Sequence, residues 1–262
     1  MKITAIIPAF NCEATIAPIV RVALLYCENV IVVDDCSSDN TNLQASDAGA
    51  ITIQLTENQG KAAAMWRGID FAMLTGFDVL VTIDADGEHD PNDIPLLVRP
   101  IDSEGCSVVF GVRDKTHGSG TTGNHRPTQT MLIHHFNIGL RDAMCGYRAY
   151  SYNGISILRK YLHTRRFGID FELTVLTVLL GLRFVEITVS TADLREYGGI
   201  RASHFDGLAE NIQRFAKHHN FSERAGDNWL LRINARDSFY LPIGNNAFGF
   251  MYSPNDQLYY RK

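Results

Sequence analysis

The chain has 262 residues, of which 45% are hydrophobic and 20% charged, and its formal net charge is −5 at pH 7. This length and apolar content suffice for a single domain with a full hydrophobic core. The acidic balance argues against a nucleic-acid partner, and five scattered cysteines without a C-x-x-C pair favour a reduced, cytosolic protein over a disulfide-stabilised one.

Four apolar segments with polar, turn-forming residues at their ends predict β-strands. They lie at 3–11, 30–39, 79–83 and 107–113. The first two are too apolar for strands that face water on one side, so we expect parallel strands buried on both faces. Helical patterns between the four segments predict crossover helices at 14–26, 60–73 and 93–101. The first half of the chain therefore reads as βαβαβαβ, which is typical of an α/β fold.

Polar side chains follow these predicted strands at the points where the strands end. Open parallel sheets bind ligands beyond the carboxyl ends of their strands, so these side chains should gather in one cleft. They are Asn11, Asp34, Asp35, Asp84, Asp86 and Arg113.

Asp84 and Asp86 are the most informative of these residues. Two carboxylates placed two residues apart at the end of a buried strand form a hard oxygen site, which suits a divalent cation that also holds phosphate. This pattern favours a nucleotide-diphosphate substrate. A solvated turn at the end of the strand is the alternative, because D-x-D also recurs by chance.

Five segments carry a resemblance to a known family. In one-letter code they are IIPAFN at 6–11, VVDDCSSDNT at 32–41, NQGK at 58–61, DADGEHDP at 84–91 and DAMCGYR at 142–148. In this order, and at about this spacing, they resemble the family 2 glycosyltransferases of GT-A fold. Within that family they are similar to the polyprenyl-phosphate sugar synthases, such as the dolichyl-phosphate mannose synthases. The resemblance covers roughly residues 1–205.

The resemblance implies a fold and a division of the chain. The fold is α/β of GT-A type, a Rossmann-like, mostly parallel sheet flanked by helices with the nucleotide-sugar site at the carboxyl ends of the strands. We expect one glycosyltransferase domain at 1–219, with a nucleotide-binding half at 1–112 and an acceptor half at 113–219. Residues 220–262 would form an extension that packs on the acceptor side, covers the active site or mediates dimerisation.

On the donor side, the resemblance implies contacts to the base, ribose and phosphates of a GDP- or UDP-hexose. Asp35 would accept a hydrogen bond from a ring N–H or a ribose hydroxyl, and Lys61 would meet a phosphate or the base. The remaining donor-side residues are Pro8, Ala9, Asn11 and Glu13. A turn with a helix cap, and an exposed lysine at the start of a helix, are the structural alternatives.

The cation is expected to be Mg²⁺ or Mn²⁺. Asp86 would bind it directly, while Asp84 would touch ribose or reach the ion through water, since these ions usually keep several waters. Glu88 would add a third oxygen ligand or lie exposed, and His89 is expected to be a loop residue. The cation would neutralise the leaving diphosphate.

The identity of the acceptor decides which residues of the second half matter. A sugar hydroxyl needs a carboxylate base, for which the candidates are Asp142, Asp170 and Glu172. A polyprenyl phosphate is already anionic and needs arginines instead. The arginines available are Arg113, Arg126, Arg148, Arg195 and Arg201. Arg113 and Arg126 match arginines that contact the acceptor phosphate in the synthases, and Asp142 is carried over as a catalytic-site residue, either as base or in positioning.

We therefore expect a metal-dependent, inverting hexosyltransferase with a polyprenyl phosphate as its acceptor, either dolichyl or undecaprenyl phosphate. Segment 113–142 lacks the apolar content of a membrane-facing helix pair, so transfer to a sugar hydroxyl in lipopolysaccharide, capsule or glycan biosynthesis stays open. An inactive nucleotide-sugar-binding relative is the third alternative. We expect a cytoplasmic protein without a signal peptide or transmembrane segment, which a lipid-linked acceptor would bring to the cytoplasmic face of the membrane.

Overall fold

A seven-stranded sheet forms the centre of the protein in the computed structural model. The structure describes residues 1–113, 139–162, 164 and 168–192, together with the backbone of 250–253 and 256–260. Among these residues, no helix is both long enough and apolar enough to cross a membrane.

Strands and helices alternate along the first half of the chain. In order they are β1 (Ile3–Ala9), α1 (Ile16–Ala23), β2 (Asn29–Asp34), α2 (Thr41–Asp47), β3 (Ile51–Gln54), α3 (Lys61–Thr75), β4 (Val79–Thr82), a 3-10 turn (Pro91–Asp93), α4 (Ile94–Glu104) and β5 (Val108–Arg113). The later elements are β6 (Arg148–Ser151), α5 (Tyr152–Arg159), α6 (Ile169–Leu179), β7 (Phe184–Val189), β8 (Phe250–Ser253) and β9 (Asp256–Tyr260).

The strand order in the main sheet is β3-β2-β1-β4-β6-β5-β7. Neighbouring strands are parallel except at β6, which runs antiparallel to both β4 and β5. The predicted α/β fold with a mostly parallel sheet flanked by helices is therefore confirmed. The antiparallel pair of β8 and β9 falls in the predicted C-terminal extension, and the predicted limits at residues 112 and 219 stay predictions.

Burial on both faces explains the apolar runs of the strands. Ile6 belongs to a core that includes side chains of α3 and α6, while Ile7 belongs to a second core with side chains of α1 and α4. Successive residues of a strand point to opposite faces, so both must be apolar where helices cover both faces.

The expected βαβαβαβ order omitted one strand and one helix. The strand β3 has four residues, and its side chains are half-buried or exposed because it lies at an edge of the sheet. The helix α2 buries only Thr41 and Ala45. Neither segment carries the strong apolar periodicity on which the prediction relied.

Arg148 has an environment different from the one expected of a phosphate ligand. Its side chain is fully buried, and its guanidinium donates to the carbonyl oxygens of Ala143 (2.7 Å), Cys145 (2.7 Å) and Asp170 (2.9 Å). The same group lies over the ring of Phe110, 4.8 Å from its centroid. Arg148 therefore fastens segment 143–145 to the start of α6, and it is a structural residue.

We expect Arg148→Met to lower the free energy of unfolding by about 3 kcal/mol or more, because three buried carbonyls lose a charged donor, although those of Ala143 and Asp170 still accept from the hydroxyl of Thr174. Arg159→Met is the matched control, since Arg159 pairs with Asp70 at the surface and should cost only about 1 kcal/mol. Urea denaturation measures both variants. Equal losses in the two variants would contradict a structural role for Arg148.

Candidate active site

A cavity of about 370 Å³ opens at the carboxyl edge of the sheet. Since β1, β2 and β4 are parallel, their ends meet there, as expected. The described residues that line it include eight of the predicted site residues: Pro8, Ala9, Asp35, Lys61, Asp84, Asp86, Glu88 and Arg113. The candidate base Asp170 lines it as well, together with Phe10, Cys12, Asn58, Gly60, Ala64, Ala85, Met144 and Gly168.

Two predicted donor-side residues are absent from the described lining of the cavity and hold a neighbouring loop instead. Asn11 Oδ1 accepts a hydrogen bond from the N–H of Ser38 (2.9 Å), and Glu13 Oε2 accepts one from the N–H of Asn40 (3.0 Å). These bonds join the segment after β1 to the loop between β2 and α2. Direct nucleotide contact by Asn11 or Glu13 stays a prediction.

The two adjacent aspartates after β2 have different environments. Asp34 is fully buried and accepts hydrogen bonds from the N–H and the hydroxyl of Ser37, so it shapes the turn. Asp35 lines the cavity, and its two oxygens accept from the N–H groups of Gln59 and Gly60, each at 2.7 Å. Asp35 thereby positions the start of α3 beside the cavity.

Lys61, the first residue of α3, lies between two carboxylates. Its ammonium is 2.6 Å from Asp84 Oδ1 and 2.9 Å from Asp170 Oδ2. Burial alone would lower the pKa of Lys61, but the charges of Asp170 and Asp84 raise it above its ordinary value. Burial also opposes ionisation of Asp84, yet the charge of the Lys61 ammonium beside it holds the pKa of Asp84 below its ordinary value. The three groups form a charged bridge from α3 to the end of β4 and to α6.

Gly146 lies directly against the carboxylate of Asp84. A Cβ atom added at Gly146 would sit 2.8 Å from Asp84 Cγ and Oδ1, and closer still to Oδ2. A left-handed backbone conformation does not explain this glycine, because its φ is not positive. Close approach to Asp84 does explain it. The hydroxyl of Thr82, at the end of β4, holds the carbonyl oxygen of Gly146 at 2.7 Å.

Asp84 and Asp86 fit a divalent cation. Asp86 is exposed at the cavity, and its Oδ1 accepts a hydrogen bond from the N–H of Glu88 (2.9 Å). Desolvation within the cleft and the charge of Asp84 raise the pKa of Asp86, so a cation between the two carboxylates would relieve their repulsion. Among the described residues, no group of three or more metal-binding side chains converges. The donors available to a cation here are therefore the carboxylate pair, and the remaining ligands would come from water and phosphate.

Glu88 is buried and faces Arg113 rather than solvent. Its Oε2 is 3.4 Å from Arg113 Nη1 and 3.8 Å from His89 Nε2. Burial, aided by the charges of nearby aspartates and opposed by Arg113, raises the pKa of Glu88 to about 7. The position of Glu88 does not match an exposed loop residue, and a third-ligand role for it stays a prediction.

The segment that follows the carboxylate pair is tied to the end of β7. The carbonyl oxygen of Glu88 accepts a hydrogen bond from the N–H of Ala192 (2.8 Å), and His89 forms an antiparallel bridge with Thr191. His89 is buried, and burial lowers its pKa to about 4. His89 lies in the connection between β4 and the 3-10 turn, as expected, and its ring packs against Tyr147 with centroids 5.2 Å apart.

Arg113 and Asp142 form a forked ion pair beside the cavity. Arg113 Nε is 2.6 Å from Asp142 Oδ2, and Nη2 is 2.7 Å from Oδ1. Burial alone would lower the pKa of Arg113, but this pairing raises it above its ordinary value. The two residues are thus brought together, as the prediction of one acceptor site requires. Arg126, Arg195 and Arg201 lie outside the described residues.

The sequence did not indicate how Asp170 is used. Asp170 was a candidate base, whereas the structure pairs it with Lys61 inside the cavity. A signal was present, because Asp170 and Glu172 open an otherwise apolar helix. Glu172 is absent from the described lining of the cavity, and its Oε2 accepts a hydrogen bond from the N–H of Thr164 (2.9 Å).

Comparisons with known proteins agree with this geometry. The model of the family described as "Glycosyl transferase family 2" matches residues 4–163. An uncharacterized protein of Methanocaldococcus jannaschii is 29% identical over 205 residues, which are 72% of this chain and 81% of the relative. Undecaprenyl-phosphate mannosyltransferase of Micrococcus luteus is 28% identical over 221 residues, covering 78% of this chain and 88% of the relative.

Solved structures with the same fold include glucosyl-3-phosphoglycerate synthase of Mycobacterium tuberculosis. Its complex with Mn²⁺, uridine diphosphate and glucosyl-3-phosphoglycerate superposes with a TM-score of 0.62 at 20% identity, covering 95% of this chain and 87% of that chain. Its complex with phosphoglyceric acid gives a TM-score of 0.63 at 22% identity, covering 87% and 81%.

We expect Gly146→Ala to weaken Mn²⁺ binding at least tenfold, because the added methyl group displaces the Asp84 carboxylate. Gly68→Ala is the matched control: its Cβ would meet Ile6 Cγ2 at 2.5 Å in the core, so it should lower stability without affecting Mn²⁺ binding. Electron paramagnetic resonance of free Mn²⁺ measures the affinities.

A double-mutant cycle tests the contact itself. Replacing Asp84 with Ala removes the three atoms nearest the added methyl group, so Gly146→Ala should cost less stability in that background than in the wild type. An unchanged cost would show that the glycine does not serve Asp84.

Proposed function

The chain belongs to glycosyl transferase family 2 and is a glycosyltransferase; on that premise we propose that it moves a hexose from a nucleotide-diphosphate sugar to a polyprenyl phosphate. The observation that carries the proposal is the joining of a carboxylate pair, a lysine and an arginine in one cavity at the carboxyl edge of the sheet. Such an edge suits a nucleotide, and the four side chains suit its diphosphate and an anionic acceptor.

We assign the donor to the part of the cavity formed by β1, β2 and the start of α3. Pro8 and Ala9 offer backbone groups there, and Asp35 is available to a base or ribose through lone pairs that its two backbone hydrogen bonds leave open. Lys61 provides the cation nearest to Asp84, where we expect the diphosphate.

Asp84 and Asp86 would hold Mg²⁺ or Mn²⁺, which neutralises the leaving diphosphate when bound. The residues of the chain then have to direct the nucleophile to the anomeric carbon. An inverting reaction requires the acceptor to approach the sugar on the face opposite the diphosphate.

The acceptor assignment rests on Arg113 and on one relative. Arg113 lines the cavity, and forked guanidinium groups match phosphate oxyanions. The relative from Micrococcus luteus, which the chain matches over 88% of its length, is named for transfer involving undecaprenyl phosphate.

Transfer to a sugar hydroxyl is the second candidate, because the carboxylate of Asp170 lines the cavity within reach of a substrate. Its Oδ2, however, is paired with the ammonium of Lys61 at 2.9 Å. An inactive relative would bind nucleotide without turnover.

Calorimetric titration of GDP and UDP tests the donor site. With Mn²⁺ we expect binding of one nucleotide, and its loss with chelator or in Asp86→Asn, since a carboxylate ligand is removed. Asp102→Asn, which changes an exposed carboxylate on α4, is the matched control and should bind as the wild type does. If neither GDP nor UDP binds, the transferase proposal is contradicted.

A lipid acceptor places the working enzyme at the cytoplasmic face of the membrane. Because the chain carries a net charge of −5, general attraction to anionic lipid is not expected. We expect flotation with phosphatidylcholine vesicles that contain undecaprenyl phosphate and not with vesicles that contain phosphatidylglycerol at equal charge. Equal flotation with both would argue against recognition of the polyprenyl phosphate.

A further inference from the structure

Asp142 is engaged by Arg113 at both carboxylate oxygens. Besides the two guanidinium contacts at 2.6 and 2.7 Å, Oδ2 is 3.4 Å from the backbone N of Arg113, and Oδ1 is 3.3 Å from the N of Met144. Only 8% of Asp142 is exposed. Among the described residues, Arg113 lines the cavity and Asp142 does not.

This arrangement does not suit a general base. A base must lie within hydrogen-bond reach of the proton that it removes. Asp142 instead directs both oxygens at a permanently charged guanidinium, and it is not among the described residues that line the cavity. The geometry therefore describes a carboxylate that orients an arginine.

Among the described residues, Glu88 alone contacts the opposite edge of Arg113, through Nη1. Asp142 uses Nε and one N–H of Nη2, which leaves three of the five guanidinium N–H groups, on Nη1 and Nη2. Nη1 has Glu88 Oε2 at 3.4 Å, which is longer than the 2.7–2.9 Å of a strong charge-assisted bond. A second oxyanion can therefore bind this edge end-on while Asp142 holds the other edge side-on.

We propose that Asp142 is a positioning residue, and that it fixes Arg113 so that the guanidinium edge opposite Asp142 binds the phosphate of an anionic acceptor. This inference rests on the proposed function. An acceptor phosphate oxygen attacks the anomeric carbon and forms a new C–O bond. The bond from that carbon to the nucleoside diphosphate breaks, and the diphosphate leaves with the electron pair. No proton is transferred, so the reaction requires no base.

Binding of a short acceptor analogue tests this assignment. Geranyl phosphate and geraniol are titrated into protein loaded with Mn²⁺ and with GDP or UDP. We expect the phosphate to bind and the alcohol not to bind. Asp142→Asn should weaken binding of geranyl phosphate at least tenfold, and Arg113→Gln at least as much.

The double variant Asp142→Asn/Arg113→Gln should bind within threefold of Arg113→Gln, because Asp142 acts through Arg113. Asp70→Asn is the matched control: Asp70 accepts the same fork from Arg159, at 2.7 and 2.9 Å, but does not line the cavity, so its binding should equal the wild type's. Multiplied losses in the double variant, or wild-type binding by Asp142→Asn, would overturn the inference.

Turnover with undecaprenyl phosphate separates positioning from base catalysis. GDP-mannose and UDP-glucose serve as donors. If Asp142 positions Arg113, Asp142→Asn should raise the acceptor KM at least tenfold, with a smaller change in kcat and an unchanged dependence of kcat on pH. If Asp142 is a base, Asp142→Asn should lower kcat by about 10²–10⁴-fold at unchanged KM, and the fall of kcat at acidic pH should disappear.

Failure of the proposed function and failure of this inference give different results. If the wild type binds neither nucleotide, the proposed function is contradicted. If the wild type binds a nucleotide but does not then bind geranyl phosphate, only this inference is overturned. If Asp142→Asn does not fold, Arg113→Lys decides, because one ammonium cannot hold Asp142 and a phosphate in the forked geometry. Unchanged binding of geranyl phosphate by Arg113→Lys would overturn the inference.

Discussion

The pairing of carboxylates with two cationic side chains around one cavity determines how the elements of the active site are held together. Six carboxylates lie in or beside the cavity: Asp35, Asp84, Asp86, Glu88, Asp142 and Asp170. Lys61 bridges two of them and Arg113 contacts two others, and both cations are supplied by the ends of sheet or helix elements. Within the described residues, Asp35 and Asp86 form no ion pair, but both oxygens of Asp35 accept hydrogen bonds from backbone N–H groups. The partly desolvated charge of Asp86 is thus the one that an external cation would compensate, which supports a cation there and not elsewhere in the cavity.

The sequence predicted those parts of the fold that depend on burial and chain direction. Strands covered on both faces must be apolar, so β1, β2, β4 and β5 were recognisable, and their shared direction brought their polar ends together. Edge strand β3 and helix α2 lacked that signal because little of either is buried. The reversal of β6 depends on contacts with strands distant in the chain. Pairings such as that of Lys61 with Asp170, which are 109 positions apart, have no local signature either.

For one of the five matching segments, the resemblance in sequence did not indicate which residues touch the cavity. Segment 142–148 supported the family assignment, yet Cys145, Gly146, Tyr147 and Arg148 are all buried. Gly146 serves the site by having no side chain, and Arg148 serves it by holding backbone carbonyls. Only Met144 of this segment lines the cavity. The sequence of such a segment can be restricted because its residues support the site from behind, without contacting the substrate.

The bridge between residues 88–89 and 191–192 bears on how the site forms during folding. The match to the family ends at residue 163, but Asp170 and this bridge lie beyond it. A nascent chain that has reached residue 163 therefore contains both aspartates of the cation pair without the strand that anchors the loop after them. The contact spans about a hundred positions, and closing so long a loop is slow. The active centre is thus expected to be among the last parts of the molecule to acquire its final geometry.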